Sequence, residues 1–196
     1  MKNPLQSKSK IVFALFLCLL PAIAQAHPGH GVTSFSAGFT HPLTGLDHIL
    51  AMVAVGLWAV QLGGRAVWLV PISFVATMIV GGALGMAHFP LPFVEHGILA
   101  SVFILGLLVA FAARVPLAVS MTVVGLFALF HGHAHGAEMP DTAGGLSFGA
   151  GFVMATALWH CLGIGAGLAI GRLAQMKLVR FAGGAILLAG VALLAP

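Results

Sequence analysis

Residues 41–62 read HPLTGLDHILAMVAVGLWAVQL. From Ile49 to Val60 the stretch has no charged side chain, and with its flanks it approaches the ~20 apolar residues a helix needs to cross a bilayer. Its mouth nevertheless carries His41, Asp47 and His48. Ionisable groups at membrane depth are expensive and are kept where they serve a purpose. The octapeptide His41 to His48 therefore reads as the inner part of a metal path through a membrane.

The surrounding chain fits that setting. Of 196 residues, 60% are hydrophobic and 6% are charged, against about a quarter charged in soluble domains. The expected fold is an all-α, polytopic membrane protein, and its 26 glycines suit helices that approach closely in lipid. Lys2, Lys8 and Lys10 precede an apolar run from Ile11 to Leu20, and Ala24-Gln25-Ala26 follows as a small-x-small cleavage signature. Residues 1–26 are thus expected to be a cleaved signal peptide. Cys161 would then be the sole cysteine of the mature chain, which excludes an internal disulfide.

Residues 27–196 are expected to form a six-helix transmembrane domain, with segments at about 44–62, 67–87, 95–112, 116–134, 147–170 and 178–195. Arg65, Arg114, Arg172, Lys177 and Arg180 all fall in the loops after segments one, three and five. Glu95, Glu138 and Asp141 fall toward the other side. Basic loops stay in the cytoplasm, so the mature N-terminus is expected outside, where signal cleavage would also leave it. The expected location is the bacterial inner membrane, with the bilayer itself as one partner. No basic stripe with interleaved aromatics is present, which argues against a nucleic-acid partner. An internal echo relates Ser34 to Phe39 and Ser147 to Phe152. If it is real, the first helix begins near Ser34 and Pro42 breaks or kinks it, as in transporters whose broken helices line a site.

The ten histidines are distributed unevenly. His41, His88, His96, His131 and His135 lie at the expected outer ends of segments one to four, His48 slightly deeper and His160 near the midplane. His41 and His48 are spaced to share a helix face if Pro42 does not interrupt it. Met52 follows His48 at i+4. Asp47 is placed either to bind metal directly or to orient an imidazole; plain capping of a helix by Thr44 or Asp47 is the structural alternative. In the run FHGHAHGAE, residues 130–138, His131, His135 and Glu138 fall on one helix face and His133 faces away. Two imidazoles and a carboxylate suit a borderline divalent metal. A His-rich loop that is merely solvated would look the same. His160 is a lone imidazole that needs a buried partner, with His48 or Asp47 the natural choice. His96, beside Glu95, is a candidate entrance ligand or part of a helix N-terminus. His27 and His30 are candidate chelators near the new N-terminus.

Other chemistries find no support. There is no G-x-x-x-x-G-K-[ST] nucleotide loop, no C-x-x-C-H haem attachment, and no paired thiolates for copper(I) or an iron–sulfur cluster.

The motifs H-P-L-T-G-L-D-H and F-H-G-H-A-H-G-A-E resemble those of the HupE/UreJ family of nickel/cobalt transporters, and the likeness covers essentially the whole chain. Its H-x5-D-H motif falls on His41, Asp47 and His48. Its second motif falls on His131, His135 and Glu138, with His133 at a variable position. The resemblance implies uptake of Ni(II) or Co(II) in support of hydrogenase or urease maturation, with the ion as cargo and no permanently bound cofactor. Two other readings of the same ligands are a membrane-embedded zinc hydrolase, with Glu138 or Asp47 as acid/base, and a metal-binding accessory protein without transport. A permease, not an enzyme, is expected, because ligands spread from rim to midplane suit a relay better than one compact centre.

Overall fold

The computed structural model describes residues 35–139, 144–173 and 175–194. The signal peptide, His27, His30 and Asp141 lie outside the described residues. Within them the chain is all-α, with seven helices: α1 (Phe35–Thr40), α2 (Leu46–Leu62), α3 (Ala66–Met86), α4 (Val94–Ala110), α5 (Leu117–Ala137), α6 (Gly145–Leu173) and α7 (Met176–Ala192). A short 3-10 turn, His41–Leu43, joins α1 to α2.

Three helices, α3, α5 and α6, are long and apolar enough to cross a membrane, and a fourth crossing results if α1, the 3-10 turn and α2 count as one broken span. Six full-length spans were expected. The helices lie close to the expected bounds, but α2, α4 and α7 have 17 residues each. At α4, Phe93 (φ 60°) and Ala112 (φ 49°) adopt left-handed conformations on either side of a 17-residue helix, short of the ~20 residues for an upright crossing. At the N-terminal end of α2, Gly45 is extended (φ −98°, ψ 109°). The chain turns by 84° between α1 with its 3-10 turn and α2.

Glycines set the helix spacing. The most extensive packing is between α3 and α5, followed by α2 with α6 and α4 with α7. A Cβ on Gly132 would lie 2.9 Å from the Gly82 backbone nitrogen, and one on Gly56 would lie 2.5 Å from the His160 carbonyl. These backbones touch without side chains between them, the packing mode of helices in lipid. The two echoed segments pack on each other: the Cβ position of Gly38 is filled by the Phe148 backbone and that of Gly151 by the backbone of Phe35 and Phe39.

The molecule has two chemically distinct ends. At one, the Trp58 indole N–H donates to Ala113 O (2.9 Å), the Gln61 amide to Val109 O (2.9 Å) and the Arg180 guanidinium to Ala110 O (2.8 Å). These donors reach carbonyls in the last turn of α4 and just beyond it, where intrahelical partners run out. Arg65 lines a small cleft with Val115 at this same end. The opposite end gathers imidazoles. Around the sides Trp68, Ile72, Ile79, Leu126 and Leu188 are exposed, while His48, His131, His133, His135 and His160 are buried. Apolar outside and polar inside is the arrangement a lipid surround permits.

Candidate metal site

Local chain geometry builds the first half of the site. Pro42 stands within the 3-10 turn after α1, and the Thr44 hydroxyl donates to His41 O at 2.7 Å. That bond helps hold the turn closed. Gly45 then starts α2 without a side-chain cap. Asp47 takes over part of that role. Its Oδ1 accepts the His48 backbone N–H (2.8 Å) and also the His48 Nδ1–H (2.7 Å). One carboxylate therefore satisfies an orphan donor of the first turn and fixes the ring beside it. Capping and imidazole orientation, posed above as alternatives, are carried out by the same oxygen. A Cβ on Gly45 would come within 2.8 Å of both Asp47 Oδ1 and His48 Nδ1, so the bare glycine leaves room for this pair.

The second half comes from the end of α5. His131 and His135 lie one turn apart and Glu138 closes the helix. The His135 ring is the hub: its centroid is 4.8 Å from that of His41 and 4.5 Å from that of His48. His131 stands 4.7 Å from His48, edge to face. Glu138 Oε2 lies 3.2 Å from His41 Nε2 and 3.8 Å from His135 Nδ1. The helix break between His41 and His48 removes the shared face that their spacing suggested, yet both rings still reach His135. Phe148 and Phe152 wall the cluster, Phe152 at 4.2 Å from the His135 ring.

Donor atoms of His41, His135 and Glu138 all fall within 4.8 Å of one another. Around a metal with bonds of ~2.1 Å, donors sit roughly 3–3.5 Å apart by simple geometry, so movements of about 1 Å would close the three onto one ion. Deeper in, the His48 proton is committed to Asp47, and its buried Nε2 has no hydrogen-bond partner among the described residues. The same holds for His131 Nδ1 and both nitrogens of His135. Buried polar atoms are almost always paired, so this concentration of unpaired imidazole nitrogens marks the cluster as a candidate donor set for a cation.

The remaining candidates separate from this centre. His133 is buried but donates from Nε2 to Phe89 O at 2.7 Å, a tie between α5 and the loop after α3. Exposed His96 packs its ring on Phe93 and, among the described residues, on no other imidazole. Met52 is buried one turn beyond His48. His160 does not meet His48 or Asp47, contrary to expectation. Its backbone lies level with Gly56, about 12 Å along α2 from His48 at 1.5 Å per residue. Neither ring nitrogen of His160 has a hydrogen-bond partner among the described residues, and the ring packs on Phe74 at 4.9 Å. Phe74 also touches His131, at 5.7 Å, and so bridges the cluster and His160. Phe74 and Ser101, whose hydroxyl lies 2.9 Å from His131 Nε2, were not singled out from sequence. For Ser101 the available signal was a hydroxyl alone in an apolar helix.

An open cleft of about 370 Å³ between α3, α5 and α6 reaches His135. Methionines and apolar residues, Met78, Met86 and Met139 among them, make up nearly all of its lining, so the candidate ligands lie in the imidazole cluster beside it.

The model of the family described as HupE / UreJ protein matches residues 15–193. The chain is also similar to Protein HupE of Rhizobium leguminosarum bv. viciae, 52% identical over 187 residues that cover 95% of this chain and 97% of the relative. No solved structure matches.

Proposed function

The chain belongs to the HupE / UreJ family, and from that premise we propose that it is a secondary permease carrying Ni(II) or Co(II) across the bacterial inner membrane. One observation carries the reading. Side-chain exposure falls from 62% at Glu138 through 34% at His41 to 10% at both His135 and His48, and to nothing at His131. The ligands thus form a descent from solvent into the protein, which suits passage better than hydrolysis at a fixed centre.

In this reading the chain crosses the membrane six times with its N-terminus outside, and the imidazole end faces outward. Glu138 and His41 capture the hydrated ion, and the carboxylate supplies the charge that favours a dication at the rim. His135 belongs to both the outer set and the inner one, so the ion exchanges water for imidazole stepwise. His48, held by Asp47, and His131 take it next; His160 lies further in, past Phe74. Imidazole and carboxylate suit Ni(II), Co(II) and Zn(II) alike. The imported metal would supply hydrogenase or urease maturation.

Purified protein in liposomes loaded with a metal-sensitive dye tests this. Saturable nickel entry that is lost in Asp47→Asn at equal protein level supports the permease. Binding without entry would favour an accessory protein, and metal-dependent hydrolysis without entry would favour an enzyme.

A further inference from the structure

Ser101 lies in the middle of α4 and is completely buried. Its hydroxyl makes two contacts: 2.5 Å to the carbonyl of Ile98 on the same helix, and 2.9 Å to Nε2 of His131 on α5. A carbonyl oxygen has no proton to give, and two oxygens at that separation repel unless a hydrogen lies between them. The single hydroxyl proton of Ser101 is therefore committed to Ile98. What Ser101 offers His131 is a lone pair, which only an N–H can use. A neutral His131 then carries its proton on Nε2 and has Nδ1 bare.

We propose that Ser101 is a positioning residue that locks His131 as the Nε2–H tautomer and so presents its Nδ1 lone pair to the metal. The inference rests on the transport reading above for its purpose, but the hydrogen-bond logic stands on the contacts alone. Three further observations agree. His131 Nδ1 is buried without a hydrogen-bond partner among the described residues. The neighbouring His48, at 4.7 Å, is fixed in the complementary way, with Nδ1–H on Asp47 and Nε2 bare. Two adjacent imidazoles thus each have one nitrogen occupied by a protein acceptor and one left open. Finally, α4 contributes no other polar side chain to the cluster among the described contacts, so the hydroxyl has no other evident use there. A ligating histidine commonly gives its second N–H to an acceptor of this kind, and removing the acceptor typically costs 10–100-fold in metal affinity.

The experiment uses the full chain in lipid nanodiscs with nitrogen-15-labelled histidine, with the His131 signals assigned by their loss in His131→Asn. In metal-free protein, imidazole nitrogen shifts distinguish the protonated from the bare ring nitrogen. The expected result is the Nε2–H form in the wild type, a mixture of both tautomers in Ser101→Ala, and recovery of the Nε2–H form in Ser101→Thr, which keeps a hydroxyl able to bond back along its own helix. Nickel chloride titrated into the same samples should bind about 10–100-fold more weakly to Ser101→Ala than to wild type, with Ser101→Thr restoring most of the loss. A wild-type His131 protonated on Nδ1, or a Ser101→Ala protein with unchanged tautomer, overturns the inference. So does a changed tautomer with full nickel affinity. If the wild type shows the expected tautomer but binds no nickel, the transport reading fails and the assigned purpose of Ser101 fails with it. The metal-free spectra therefore separate the two failures.

Discussion

His41 Nε2 and Glu138 Oε2 stand 3.2 Å apart, joining the turn before α2 to the residue that caps the C-terminal end of α5. The pair closes the outer rim of the imidazole cluster, and His135 Nδ1 lies 3.8 Å from the same carboxylate oxygen. At 62% exposure Glu138 adds little to stability through such a contact, and under the proposed function its charge serves the cation. Glu138→Gln keeps the size and removes the charge. Nickel affinity in equilibrium dialysis is expected to fall by about tenfold or more, at least the lower bound for groups that merely orient a ligand, with the melting temperature nearly unchanged. A drop in melting temperature with full affinity would mean that the pair is structural.

Gly45 offers an indirect probe of the inner site. Its missing side chain leaves space beside Asp47 Oδ1 and His48 Nδ1. In Gly45→Ala the added methyl would press within 2.8 Å of both atoms, so the Asp47–His48 hydrogen bond must lengthen or rotate. Nickel uptake is expected to fall about as far as in Asp47→Asn, by roughly 10–100-fold. Uptake within a factor of about two of wild type, a cost of under 1 kcal/mol, would show that the carboxylate need not hold the ring.

The basic end should respond in the opposite way. The Trp58 indole donates to Ala113 O from a completely buried position. Trp58→Phe keeps an aromatic ring but orphans that carbonyl and leaves some volume unfilled. A loss of about 1–3 kcal/mol follows for the unmet acceptor, read as a lower melting temperature in detergent, while nickel affinity at the far end is unchanged. A loss of affinity without a stability change would contradict this division of labour.

Sequence spacing made part of this architecture legible. The i, i+4, i+7 pattern of His131, His135 and Glu138 already implied one helical face, and Pro42 marked a break where the structure turns by 84°. Apolar runs located α2 to α7 because hydropathy reports what lipid or core will accept. It reports less well where a helix ends: α4 stops at Ala110, two residues before the expected bound, and the left-handed Ala112 follows. The partners of His160 and His131 were equally hidden. Phe74 and Ser101 reach them from other helices, and such meetings depend on glycine-set helix spacing that no single segment encodes. The position of His135 between the His41 and His48 rings has the same origin.

That glycine spacing can be tested by paired substitutions. Gly132→Ala would place a methyl 2.8 Å from the Met78 carbonyl carbon and 2.9 Å from Gly82 N, both backbone atoms that cannot swing aside. Gly184→Ala on α7 meets nothing within 4 Å. The first should destabilise by about 1–3 kcal/mol through overpacking and displace the neighbouring His131, weakening nickel binding. The second should be neutral or gain up to about 1 kcal/mol from helix propensity. Melting curves that rank the two in the reverse order would refute close α3–α5 contact.

His160 separates binding from passage. It is buried, has no hydrogen-bond partner on either ring nitrogen among the described residues, and shares the Phe74 ring with the outer cluster. If it is the next station for the ion, His160→Leu leaves the outer ligands in place and removes the site beyond them. Equilibrium nickel affinity should then stay within about twofold of wild type, because His41, His48, His131, His135 and Glu138 are all intact. Entry into liposomes should fall by about tenfold or more, equivalent to raising the inward barrier by at least 1.4 kcal/mol. The leucine also fills the pocket against Phe74 with an apolar group and removes two unpaired nitrogens, so stability should hold or rise. Equal loss of binding and entry would instead place His160 within the outer ligand set, and full entry would make it a packing residue.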